Sequence, residues 1–198
     1  MLRIEPLSPP YEQQTAEHLA AMMPPGVDPI RLFRTFVVNL PMAQAMLPWG
    51  RHELGRTLSI TLRQREILID RTCARCGCEY EWGVHVAFFA ERAGLTGEQI
   101  ASLTAGDPGD PCWDSDAERL LIRAADELHD RNDIGDELWD SLLRHFDQPQ
   151  LLDIVMLCGW YHAISFTATA ARVELEPGAP TFAAVAQPGL SERPRTAS

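Results

Sequence analysis

The sequence predicts an all-α protein, a compact helical bundle, on three observations. Apolar residues recur at helical rather than alternating spacing along almost all of the 198 residues. Nothing resembling an Asn-Gly turn between alternating runs marks a β-hairpin. Polar and glycine-bearing stretches separate the periodic segments at short intervals, the pattern of short helices on short loops. A hydrophobic content of 45% supports one sizeable core and excludes a disordered chain.

In chain order, helices are expected over residues 11–23, 29–46, 61–76, 78–93, 97–103, 116–130, 136–146 and 149–175. Thr96 with Gln99 and Ser115 with Glu118 have capping-box spacing, in which the hydroxyl takes an orphan amide and the longer side chain reaches back. Gly94 falls where a left-handed residue would close the fourth helix. Residues 104–114 read as a turn-rich loop. The domain is therefore drawn at 1–176, and residues 177–198 as a Pro- and Ala-rich tail with little to pack. Residues 154–171 carry no formal charge, so length alone would allow a membrane span. His162, Ser165, Thr167 and Thr169 dilute that stretch and Asp153 and Arg172 close it, so a buried central helix is expected and no membrane partner.

Seventeen basic against 28 acidic residues give a net charge of −11, which repels phosphate backbones, and no nucleic-acid partner is expected. Every basic residue is arginine. With no lysine, Schiff-base chemistry, pyridoxal phosphate anchoring and P-loop nucleotide hydrolysis are excluded. Five cysteines, at 73, 76, 78, 112 and 158, form an odd set behind an N-terminus with prolines where a secretory signal needs an apolar run. A reducing cytoplasm is the expected compartment.

The chemistry concentrates in residues 63–94, RQREILIDRTCARCGCEYEWGVHVAFFAERAG. Gly77 is placed to separate two helices, which sets Cys78 at the first turn of the second, where free amides favour thiolate. At about 100° per residue, Glu81 and His85 return to the direction of Cys78, and the stripe continues into Phe88 and Phe89. A thiol, a carboxyl and an imidazole entering a core must satisfy one another, and such a cluster suits proton transfer. Glu66, on the preceding helix, would by itself be an ordinary solvated charge; across a tight turn it could face the trio. Trp82, and Trp160 with Tyr161, could wall an apolar pocket as substrate-binding residues, although aromatic residues at this spacing are commonly plain core. Arg63, Arg65, Arg71 and Arg75 flank the region, and one of them could hold a substrate carboxylate. Cys73, Cys76, Cys78 and His85 offer soft ligands within a short span, but their helical directions diverge, so no metal and no cofactor are expected.

These residues resemble the carboxymuconolactone decarboxylase family, which includes the alkylhydroperoxidase D-like proteins. The resemblance rests on LFRTF at 32–36, RQREILI at 63–69, CEYEWGVHV at 78–86, ERAGLTGEQIASL at 91–103 and RLLIRAADELH at 119–129. It implies an all-helical fold assembling into dimers, trimers or hexamers, with the active site near subunit contacts. The peroxidase branch carries a glutamate and, twelve residues on, Cys-x-x-Cys-x-x-x-His. Glu66, Cys78 and His85 match that pattern, and Glu81 replaces the second cysteine. The expected function is acid–base chemistry by Glu66, Glu81 and His85 on a small organic acid or lactone, with Cys78 auxiliary. The alternatives are a thiol peroxidase with Cys78 as attacking thiol, or a non-catalytic redox or zinc-binding module on the cysteine cluster.

Overall fold

The computed structural model describes residues 1–185. Ten α-helices and one 3-10 turn make up its regular structure, and no strand occurs among the described residues. They are α1 (Gln13–Met22), α2 (Arg31–Phe36), the 3-10 turn Val37–Asn39, α3 (Leu40–Glu53), α4 (Leu62–Arg75), α5 (Glu79–Ala93), α6 (Gly97–Ala105), α7 (Asp116–Arg131), α8 (Asp136–Leu142), α9 (Gln148–Ala171) and α10 (Phe182–Val185).

At the centre lies α4, packed by α5, α6, α7 and α9. It starts at a capping box of Thr61 with Gln64, and every residue from Arg65 to Cys73 is buried, so it is enclosed on all sides. The sequence pointed to residues 154–171 as the central helix. Instead α9, though long and apolar enough to span a bilayer, has only half of its apolar window buried, and Leu152, Met156 and Phe166 along the helix are exposed. The charges of α4 concealed its position, because they are neutralised in pairs inside the bundle. Arg71 Nε donates to Asp126 Oδ1 at 2.6 Å, and Arg65 Nε donates to Glu66 Oε1 at 2.6 Å.

The turn between α4 and α5 fixes the site. Gly77 adopts φ +64°, the Cys78 N–H reaches the Cys73 carbonyl at 2.9 Å, and the Gly77 N–H reaches Ala74 at 2.9 Å. That is a Schellman closure, and Cys78 serves at once as its last residue and as the N-cap of α5. The antiparallel return lays the α5 face bearing Glu81 and His85 along the α4 face bearing Glu66.

Elsewhere the expected helix over 29–46 is two helices. Asn39 leaves the helical region and its side chain accepts from Met42 N–H at 3.3 Å, while Pro41 has no N–H to return to Val37. The second piece then runs through Pro48 to Glu53. The tail begins with packing: Phe182 meets Trp82 at 4.9 Å between ring centroids, and its N–H donates to Glu79 at 2.7 Å. The rest of the expected tail, 186–198, lies outside the described residues.

Candidate active site

His85 links two buried carboxylates. Its Nδ1 lies 2.8 Å from Glu66 Oε2, its Nε2 lies 3.0 Å from the Tyr161 hydroxyl, and Glu81 Oε1 lies 3.5 Å from the same Nε2. Glu66 is fully buried, with its other oxygen held by Arg65. Burial by itself pulls the imidazole pKa down, but Glu66, by charge and hydrogen bond, and then Glu81 outweigh it and push it up to about 10. At neutral pH His85 is therefore an imidazolium, donating from Nδ1 to Glu66 and presenting Nε2–H to Tyr161 and Glu81. Burial and the neighbouring carboxylates hold the Tyr161 phenol well above its ordinary range, so it stays protonated.

These groups open onto a cavity of about 390 Å³, whose walls include Phe36, Trp160, Phe89, Glu81, His85 and Tyr161. Its lining is mainly apolar. Phe88, expected to carry the polar stripe into solid core, is half-exposed on that wall, because the stripe leads into the cavity. Arg51, from α3, supplies a cation to the lining.

The structure thus brings Glu66, Glu81 and His85 together and adds Tyr161, which the sequence offered only as a wall. Cys78 is buried in a neighbouring apolar cluster and does not line the cavity. Helix-end stabilisation of its thiolate does not prevail. Burial pushes the thiol up, only partly offset by hydrogen bonding from the Glu81 backbone and from Ser165 and Thr169. Trp82 does not fill the expected substrate-binding place: it is fully buried against Phe182 and is not part of the cavity lining. The four flanking arginines, any one of which could have held a substrate carboxylate, are committed elsewhere, Arg63 to Glu118, Arg65 to Glu66, Arg71 to Asp126, and Arg75 to Asp126 and Asp130. Sequence reasoning missed Arg51 because only the tertiary approach of α3 carries it to the cavity.

Asp70, one turn after Glu66, was also missed. Both its oxygens are buried without a hydrogen-bond partner among the described residues, and burial followed by the Glu66 charge holds its carboxyl well above the usual range, with His85 acting in the opposite direction. Its burial favours the protonated form.

Comparison with known proteins gives first the class. An uncharacterized peroxidase-related protein from Silicibacter sp. TM1040 has a similar structure, with TM-score 0.75 and 15% identity over 91% of this chain and 95% of that one. The debrominase Bmp8, solved in complex with 2,3,4-tribromopyrrole, gives TM-score 0.71 and 14% identity over 88% and 91%. A protein of unknown function from Agrobacterium tumefaciens, suggested to be the antioxidant defence protein AhpD, gives 0.62 and 17% over 71% and 95%. The fold is the AhpD-like helical fold. Residues 41–126 match the family model of the Carboxymuconolactone decarboxylase family. No curated protein matches the sequence.

Proposed function

We propose that this is an enzyme performing acid–base chemistry on a small, largely apolar organic acid or lactone. The observation that carries the proposal is His85, held cationic by buried Glu66 while presenting Nε2 toward Glu81 and Tyr161 on the wall of an apolar cavity. Arg51 is the side chain suited to hold a substrate carboxylate at the cavity wall. In decarboxylation of a lactone acid, the bond to the departing carboxylate breaks and its electron pair enters the lactone as an enolate. His85 Nε2–H and the Tyr161 hydroxyl offer hydrogen bonds to the negative charge that develops on oxygen. Glu81, 3.5 Å from His85 Nε2, relays a proton from the imidazolium to the carbon that has lost carbon dioxide, and solvent restores it once the product leaves. The brominated pyrrole held by the debrominase supports a ligand of this size and apolarity.

A thiol peroxidase is the second reading. In it the Cys78 thiolate attacks a peroxide oxygen, an alcohol leaves, and another thiol resolves the sulfenic acid. It is favoured by the gathering of Cys73, Cys76 and Cys78 at the α4–α5 turn and by the peroxidase-related neighbour. The burial of Cys78 and its raised pKa weigh against it.

The deciding experiment assays decarboxylation of lactone acids and reduction of organic hydroperoxides with the wild type, Glu81→Gln and Cys78→Ser. Glu81→Gln is expected to lower decarboxylation by about 10²–10⁴-fold, while Cys78→Ser retains most of it. Hydroperoxide turnover that survives Glu81→Gln and is lost in Cys78→Ser would replace the first reading by the second.

A further inference from the structure

Away from the cavity, Cys76, His129 and His162 converge from three different helices. Cys76 caps the end of α4, His129 lies in the last turn of α7, and His162 lies in the second half of α9. Their Sγ, Nδ1 and Nε2 atoms all lie within 4.8 Å of one another, and all three residues are half-buried, within reach of solvent ions. We propose that these residues form a zinc site, separate from the acid–base cluster and independent of the reaction proposed for it.

Three properties of the cluster fit zinc, beginning with its geometry. Tetrahedral zinc with Zn–S of about 2.3 Å and Zn–N of about 2.0–2.1 Å separates sulfur from nitrogen by about 3.6 Å and the two nitrogens by about 3.3 Å. Here Cys76 Sγ is 3.8 Å from His129 Nδ1, and His129 Nδ1 is 3.1 Å from His162 Nε2. Both distances lie within a few tenths of an ångström of those edges.

The tautomer of His162 fits as well. Its Nδ1 lies 2.8 Å from the Cys158 carbonyl, which can only accept, so Nδ1 carries the proton and Nε2 presents its lone pair to the cluster. A backbone carbonyl that fixes the far nitrogen of a ring is the usual support of a metal-binding histidine. Charge is the third property. Arg75 and Arg71, the nearby cations, are paired with Asp126 and Asp130, so the surroundings are balanced and a Cys76 thiolate supplies the anionic ligand. One thiolate and two imidazoles leave a fourth tetrahedral position for water. Ligand spacing within residues 73–85 could not reveal this site, because two of its three donors come from α7 and α9.

Zinc binding displaces the Cys76 proton and leaves a zinc-thiolate, without any redox change. Bound in this way, Cys76 is withdrawn as a resolving partner for Cys78.

The test titrates chelator-stripped, full-length protein with Zn²⁺ in competition with a chromophoric chelator, and repeats the titration with Co²⁺. Wild type is expected to take one ion per chain, with a thiolate-to-cobalt charge-transfer band. Cys76→Ser, His129→Gln and His162→Gln are each expected to weaken binding at least ~10-fold, while Cys112→Ser leaves it unchanged. Alkylation mapped by peptide mass on the wild type needs no variant: zinc should slow modification of Cys76 but not of Cys112. Absence of one-to-one binding, a cobalt spectrum without the sulfur band, or alkylation of Cys76 indifferent to zinc would each overturn the proposal.

Discussion

Glu66 and Asp70 sit one turn apart on α4, both sealed from water, yet they are partnered differently. Glu66 has Arg65 on one oxygen and His85 on the other, whereas Asp70 has no partner for either among the described residues. Two substitutions separate them. Glu66→Gln strands a buried guanidinium and imidazolium and should cost about 3–5 kcal/mol in chemical denaturation. Asp70→Asn keeps the shape of a carboxyl whose burial favours its protonated form and should change stability by less than about 1 kcal/mol. His85 adds a dependence on pH. Its folded pKa of about 10 stands above the unfolded value of 6.5, so its contribution to stability is complete below about 6.5 and is lost as pH rises through 10. Denaturation midpoints of the wild type should therefore fall between those values, and His85→Gln should flatten that decline. At this scale the sequence was informative about helical direction, which put Glu81 and His85 on one stripe. It was silent on which arginine was free, since each ion pair of α4 joins residues that only tertiary packing brings together, apart from adjacent Arg65 and Glu66.

Helix ends were legible wherever a side chain closes them locally. Thr96 and Gln99 form the expected capping box, and Gly94 closes α5 at φ +66°. Ser115 and Glu118 make only half of theirs: Ser115 accepts from the Glu118 N–H, but the Glu118 carboxylate turns to Arg63 at 2.6 Å. A charged partner outside the helix outcompetes the reciprocal cap. Two ends lend themselves to measurement. Gly77→Ala meets no atom within 4 Å, so its cost should be that of a left-handed alanine, about 1 kcal/mol, read as a lower thermal midpoint. At the end of α9 the same conformation is held by exposed Arg172, φ 55°, whose N–H reaches Thr169 while Val173 reaches Ala168. Arg172→Gly should raise the thermal midpoint, by the equivalent of roughly 0.5–1 kcal/mol.

Across the molecule, the fold class was readable from periodicity, but the arrangement was not. Apolarity suggested that α9 would be central, whereas pairing of charges allows α4 to be so. The cavity is equally non-local, because α2 and α3 contribute Phe36 and Arg51 from far along the chain. Association of copies, implied by the family resemblance, remains a proposal, and the exposed apolar row Leu152, Met156 and Phe166 on α9 is where it is best tested. Light scattering should show an oligomer for the wild type and a smaller species for Phe166→Glu; equal masses would remove α9 from the contact.

Glu66 and the Nδ1 edge of His85 lie wholly inside the bundle, so the cavity is the route by which this pair meets anything mobile. A ligand seated there would cut that route from the bulk. The proton that the reacting carbon gains in place of carbon dioxide would be one the enzyme held before the ligand arrived. In heavy water, an enzyme working in this way would release product that carries one deuterium at that carbon.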